Sequence, residues 1–543
     1  MKQSWSGKTI FERGELALAI FMTLILIGFH VIFFLHAGPL WRDEISSLTL
    51  ATKPSFAEFW RFLPFDPFPA AYFLLLRSWH AIGLGESDLQ LRALGLLIGL
   101  SLIGAFWFSC YSIDKSPPLW PLALFALNPL TLEAGDSLRP YGFGLIWVVF
   151  AFGLIWKMTF GEIRKRTVAF AFVAAVLSVQ SLFTNAFTLL ATGTSAILLL
   201  LCAKEWSKLI LIITIGLVAA LTLLPYLPII RATGEWSKII ANKNELTGVL
   251  AVARDALAEP GTAAYWTWLA LGFGLIGSCL FAFSVRLTAI FDLKRKGVMF
   301  AGATLFITVV ATIVFLCAAK YLVFPRYFLP TMGVAALSVH VFWGALPNRV
   351  ATRAVSLILA TFIVVLSVPS LYARANMRMT NCDKIAIAVE QRASSEDLII
   401  VTSFFYGVSF QRYYHGQVSW LAVPPVADFS LHRWDLLREA MARPDPMPDL
   451  LSHAETVLRN GHRLFLVGKL GPPLPEEPES LPPAPQTEFG WQMEPYVQSW
   501  KAELTYWIKH HTIHGNELSM DDLQSVNWFE RLGVFEASGW REP

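Results

Sequence analysis

The stretch Trp41-Arg42-Asp43-Glu44 sets two carboxylates side by side directly after the first long apolar run of the chain. Acids this close to hydrocarbon are costly unless they are solvated, paired or used, so the pair is read as the place for chemistry. What carboxylates offer there is a proton acceptor, a hold on a cation, or a partner for a basic side chain. Two solvated residues flanking a helix would be the plain alternative. A third acid, Asp66, lies among the aromatics Phe59, Trp60, Phe62, Phe65 and Phe68, where an anchoring belt of rings would have no use for it. Other constellations carry less. His510 and His514 have the spacing of one helical face, with His511 beside them, but no further metal ligand is evident. Of the five cysteines, four lie within or at the ends of apolar runs and none forms a close pair, so they make no framework. Neither a hydrolase elbow, a zinc-protease motif nor a nucleotide-phosphate loop is present.

The elements that must position these acids are membrane helices. Of 543 residues, 55% are hydrophobic and only 15% charged, against about a quarter charged in soluble proteins. Apolar stretches of about 20 residues, the length needed to cross the hydrocarbon, occur near 15–36, 91–113, 117–134, 140–158, 166–183, 185–203, 208–230, 263–287, 297–319, 322–346 and 353–372. They amount to about eleven spans. With the N-terminus in the cytoplasm, the clusters Asp114-Lys115, Arg164-Lys165-Arg166, Lys204 with Lys208, Lys294-Arg295-Lys296 and Arg349 with Arg353 all fall inside, as the positive-inside rule requires. The net charge of +3 is small, and no nucleic-acid surface is implied.

The same arrangement puts 37–90, 134–140, 231–262, 320–321 and everything after 373 outside. In the first outer loop, Ser55 with Glu58 and Ser87 with Gln90 have capping-box spacing, and Pro64, Pro67 and Pro69 break the chain between them. Short amphipathic juxtamembrane helices are expected there. From residue 374 the composition is that of a water-soluble region. Apolar runs at 397–401, 418–423 and 464–467 read as strands, and patterns at 381–393, 431–442 and 448–460 as helices, which together suggest a small α/β domain. A proline-rich stretch, 472–485, reads as an extended surface excursion before a final mixed region. The division is thus a membrane module, 1–373, and an extracytoplasmic domain, 374–543.

Trp41-Arg42-Asp43-Glu44, then Phe65-Asp66-Pro67-Phe68-Pro69-Ala70-Ala71-Tyr72-Phe73, then Gly85-Glu86-Ser87 and Leu91-Arg92, resemble the first outer loop of the GT-C glycosyltransferases. The branch they resemble contains the protein mannosyltransferases and aminoarabinose lipid A transferases. Pro325-Arg326-Tyr327-Phe328-Leu329-Pro330 resembles the family's R-Y-x-x-P segment before a late span, and Arg139-Pro140-Tyr141 its Arg-Tyr element. The resemblance covers roughly 15–372. Phe68 stands where the family usually has histidine, and Ala70 where it often has a second proline.

The resemblance implies a GT-C-like polytopic α-helical membrane protein with a C-terminal soluble α/β domain, seated in the cytoplasmic membrane. It implies an inverting transfer of a sugar from a polyprenyl-phosphate carrier to a glycan, lipid or protein acceptor on the outer face. Asp43 would be the base for the acceptor hydroxyl. Glu44 would orient the backbone or pair with Arg42 or another basic group, and Asp66 would position the acceptor or, with Asp43, hold a divalent cation. No cofactor is required by the sequence. Arg326 and then Arg139 would take the donor phosphate, helped by Tyr141, Tyr327 and Lys320. Two other readings stay open: a lipid or solute transporter, which calls for charges deep inside several spans, and an inactive relative that binds polyprenyl phosphate as a scaffold, for which Phe68 speaks.

Overall fold

In a computed structural model, the protein is described over residues 7–240, 244–284, 292–319, 321–346, 350–471, 476, 478–518 and 524–542. Among the described residues, nine helices are long and apolar enough to cross a membrane. Their outward faces carry exposed Leu24, Ile210, Phe273 and Ile358, side chains that water would penalise and lipid accepts. Two of the predicted segments are shorter. The run near 117–134 is broken into Leu119–Pro121, a wide turn over Leu122–Ala126 and Pro129–Asp136. Pro121 and Pro129 cannot continue the hydrogen-bond ladder, and Asn128 restarts the helix by accepting from Leu130 N at 2.9 Å. The run near 166–183 becomes the 15-residue helix Lys165–Val179, about 22 Å long at 1.5 Å per residue.

The loop 37–90 folds as expected from its caps. Ser55 Oγ accepts from Glu58 N at 3.1 Å at the start of Phe56–Phe62. Ser87 and Gln90 form the full reciprocal box, at 3.3 and 3.2 Å, that starts Asp88–Asp114. Between them lies the helix Ala70–Trp79.

Beyond the last long helix, Val350–Ala375, a mixed sheet forms. Its strands are β1 (Leu398–Val401), β2 (Trp420–Ala422), β3 (Arg463–Gly468), β4 (Thr512–Leu518) and β5 (Gly533–Trp540), in the order β2-β1-β3-β5-β4. The first three pair in parallel and correspond to the predicted strands, with Cys382–Glu390, Trp434–Met441 and Pro448–Arg459 as the predicted helices. The final mixed region is the helix Met493–His511 and the antiparallel β4/β5 pair. The helix ends at His511 and β4 begins at Thr512, so His510 and His514 do not share a helical face; His510 Nδ1 instead lies 2.8 Å from Tyr506 O. Of the proline-rich stretch, 472–475 and 477 lie outside the described residues.

Apolar side chains gather into two clusters, one among the membrane helices and one around the sheet. Polar contacts join them at the loop 37–90. Asp88 takes Arg412 Nη2 at 2.6 Å and Tyr413 Oη at 2.7 Å, and Met379 N donates to Ala37 O at 2.8 Å.

Candidate active site

Arg42–Ala51 is a helix, so Asp43 and Glu44 leave its first turn in different directions. Glu44 points inward. It is fully buried and grips Arg92 through both oxygens, at 2.6 and 2.8 Å. It also accepts from Leu138 N at 2.9 Å and Trp41 N at 3.3 Å. Arg92 spends its other donors on Gly38 O at 3.2 Å and Pro39 O at 2.8 Å. Gly38 has φ +67, and a Cβ there would meet Arg378 Cζ at 3.0 Å, so glycine is what lets the chain turn its carbonyl to Arg92. A buried pair persists only with its remaining donors and acceptors met, and here they are. Of the partners expected for Glu44, Arg42 or another basic group, the structure gives the second, Arg92. Arg42 turns to the C-terminal region, with its N 3.1 Å from the buried Glu530 Oε2 and its Nη1 3.0 Å from Phe529 O.

Asp66 and Arg139 form a second closed pair. Nη1 and Nη2 of Arg139 lie 2.7 and 2.9 Å from the two Asp66 oxygens, and Nη1 also reaches Ser47 Oγ at 2.6 Å and Asp43 O at 2.9 Å. Ser47 Oγ donates to Asp66 Oδ2 at 2.9 Å. Phe68, at the place of the family's histidine, lies 4.7 Å from the Arg139 guanidinium. Arg139 thus ties the loop 37–90 to the start of Pro140–Phe160, leaving little of its fork for an added anion.

Asp43 and Arg326 are arranged otherwise. Arg326 Nη2 lies 4.0 Å from Asp43 Oδ2, beyond a hydrogen bond, and its Nε donates to Tyr141 Oη at 3.2 Å. The guanidinium rests 4.3 Å from the Phe324 ring centroid. Among the described residues, Asp43 Oδ1 has one side-chain hydrogen-bond partner, His432 Nε2 at 3.2 Å, with Arg42 Nε at 4.0 Å. Burial by itself would raise the Asp43 carboxyl. The His432 hydrogen bond and the nearby Arg139 and Arg42 charges outweigh it and hold the group well below the usual carboxylate range.

These groups open on one cavity of about 220 Å³. Asp43, Tyr141 and Arg326 line one part; Glu133, Glu259, Arg374 and Asn527 line another. Arg374 joins Glu133 and, at 3.0 Å, Glu259. The wall therefore gathers residues from the first loop, the break before Pro140, the 231–262 segment, the run before Arg326 and the C-terminal region. Those are the segments whose charge pattern predicts a common side. Tyr327 packs edge-on to Tyr321 and Phe324, at 6.0 and 5.9 Å between centroids. Lys320 lies outside the described residues. Asn185 starts Asn185–Ala203 and donates to Ser178 O at 2.9 Å.

Asp43 and Asp66 do not fit a divalent cation as they stand, because both Asp66 oxygens accept from Arg139 or Ser47 and Asp43 Oδ1 is engaged by His432. Among the described residues, no three His, Cys, Asp or Glu side chains cluster as metal ligands.

His432, Arg374 and Glu133 were not expected at the site. Arg92 belongs to a quoted motif but was given no role. For His432 the sequence carries no signal, since it lies 389 positions from its partner. Arg374 ends the last long helix, where a cation at a C-terminus is commonplace.

No family model and no curated protein matches the chain. Solved structures do. ArnT from Cupriavidus metallidurans bound to undecaprenyl phosphate is 12% identical, with a TM-score of 0.50 over 83% of this chain and 92% of that one. The apo state of the same protein gives 11% and 0.50 over 84% and 93%. An Archaeoglobus fulgidus oligosaccharyltransferase, in complex with Zn and sulfate, gives 12% and 0.49 over 83% and 67%. The long apolar helices, the capped loop 37–90 and the C-terminal sheet, matched in ArnT over most of both chains, are those of a polytopic membrane protein that shares the fold of the ArnT structures.

Proposed function

We propose that this protein is an inverting glycosyltransferase that moves a sugar from a polyprenyl-phosphate carrier to an acceptor outside the cytoplasmic membrane. The observation that carries the reading is the open Asp43–Arg326 pair, 4.0 Å apart on one cavity, where the other acids of the motif are closed on their own arginines. The likeness to ArnT bound to undecaprenyl phosphate supports the choice of carrier. The N-terminus lies in the cytoplasm, and 374–543 forms an extracytoplasmic domain that completes the site.

The acceptor hydroxyl attacks the anomeric carbon as the bond from that carbon to the carrier phosphate breaks. The hydroxyl proton goes to Asp43, and the phosphate leaves with the bonding electron pair. A carboxylate held so far below its usual range is a weak base, so it takes the proton late, after bond formation has made the hydroxyl acidic. Arg326 stabilises the charge growing on the phosphate, with Tyr141 fixing its Nε. Glu44, Asp66 and Arg139 act through position: they hold the helix that carries Asp43 and the loop that faces it. The polar wall of Glu133, Glu259, Arg374 and Asn527 suits the hydroxyls of a sugar. The test is transfer from polyprenyl-phosphate-linked labelled sugars by the purified protein in liposomes. Labelled product from the wild type and none from Asp43→Asn is expected, and equal turnover by both would overturn the assignment.

A further inference from the structure

The segment from Asp428 to Asp435 belongs to the C-terminal region, yet it reaches Asp43. It is tied down on both sides. Arg433 pairs with Asp428 and, at 2.6 Å, with Asp435, while its guanidinium lies 5.9 and 5.7 Å from the rings of Phe62 and Phe65 in the first outer loop. Within this brace, the His432 ring is stacked on Trp434 at 5.6 Å and meets Phe405 edge-on at 6.2 Å. Its Nε2 faces Asp43 Oδ1 at 3.2 Å, and its Nδ1 is buried with no hydrogen-bond partner among the described residues. A proton on Nδ1 would be an unmet buried donor, so the proton belongs on Nε2, donated to Asp43.

The other oxygen of Asp43 stops 4.0 Å short of Arg326 Nη2. Arginine and carboxylate this close ordinarily close into a direct, often bidentate pair, as Glu44–Arg92 and Asp66–Arg139 have done. We propose that His432 is a positioning residue that holds Asp43 back from Arg326, keeping the guanidinium available to the carrier phosphate and the carboxylate available to the acceptor. This rests on the reading of Arg326 as the phosphate site. Without the Nε2–H donor, Asp43 turns to Arg326, and an incoming phosphate has to displace it. The soluble region thereby sets the strength of an anion site whose other parts lie in the membrane module.

Affinity of the full-length protein in detergent for undecaprenyl phosphate tests this without knowledge of the sugar. His432→Phe, which keeps the ring and removes the donor, should weaken binding about tenfold, a coupling ordinary for contacting residues. His432→Gln, which returns an N–H at similar reach, should recover most of the loss. In an Asp43→Asn background, which has no carboxylate to capture Arg326, His432→Phe should change nothing. Equal loss in both backgrounds would reduce His432 to packing, and no loss in either would remove it from the site; both outcomes overturn the proposal. Arg326→Ala separates the two readings. If it leaves affinity intact, the phosphate assignment itself falls; if it weakens binding while His432→Phe does not, only the positioning role falls.

Discussion

Asp43 and Glu44 are neighbours in one helical turn, and each faces an arginine. Glu44 meets Arg92 at 2.6 Å with no exposed surface, and every oxygen and nitrogen of the pair that the fold buries finds a partner. Asp43 meets Arg326 at 4.0 Å, with about a fifth of each side chain still exposed. A closed pair has no orbital left for a substrate, and its removal is felt as instability. An open pair retains charge that a ligand can use, and its removal is felt as lost chemistry. The same acid-arginine vocabulary therefore builds the scaffold and the site, and the difference lies in whether the gap has closed.

The largest effect should come from the open pair. Asp43→Asn is expected to lower turnover by about a hundred- to ten-thousandfold, the usual worth of a general base, while thermal unfolding in detergent stays close to wild type. A drop in melting as large as that of a core mutant would place Asp43 in the scaffold instead. The closed pair should respond in reverse. Arg92→Ala leaves Glu44 buried and unpaired, which costs about 3–5 kcal/mol, so a marked loss of melting temperature or of inserted protein is expected. Unchanged melting would show that the pair is not what holds the Leu138 turn against the Asp43 helix.

Much of this comparison could be read from the sequence in its parts but not in its pairings. The long apolar helices follow from composition, and β1, β2 and β3 from short apolar runs flanked by turn residues. The starts at Ser55 and Ser87 follow from caps. Such features depend on neighbours within a few residues. Which arginine meets which acid does not: Glu44 finds Arg92 across 48 positions, Asp66 finds Arg139 across 73, and Asp43 finds His432 across 389. Four arginines spread over the quoted motifs allow several such matches, and only packing selects among them. That is why Arg139 was assigned to phosphate, where the fold gives its fork to Asp66. The β4/β5 pair was missed for another reason. β4 is Thr-Ile-His-Gly-Asn-Glu-Leu, exposed through its middle and lacking an apolar alternation, and it follows a helix without a break at Thr512.

A middle-sized effect probes the partner of Asp43. Arg326→Ala should weaken undecaprenyl phosphate binding by about ten- to a hundredfold, the range for a charged hydrogen bond, whereas Arg139→Ala should act chiefly through melting because its donors are already committed. If Arg139→Ala lowers affinity as much as Arg326→Ala does and leaves melting unchanged, the division between open and closed pairs is drawn in the wrong place.

The smallest expected effect is one of pH, and it sharpens the comparison because it concerns only the open pair. Asp43 is held below the ordinary aspartate value of about 3.9. A depressed carboxyl gives its stabilising contribution in full above its unfolded value and loses it only as pH falls through the folded one. Between pH 5 and about 8, then, Asp43 stays ionised, and titration of this base should leave turnover flat on the acid side. Replacing His432 by Phe removes the first of the groups that lower the carboxyl, but the Arg326 guanidinium to which Asp43 then turns lowers it in its place. The acid side should therefore stay flat in His432→Phe as in His432→Gln, while turnover of the Phe variant is lower at every pH. A wild-type profile that already falls between pH 7 and about 5 would mean that the proton acceptor is another group. An acid limb that moves up toward neutral pH in the Phe variant would mean that Asp43 does not close on Arg326 when the histidine is lost.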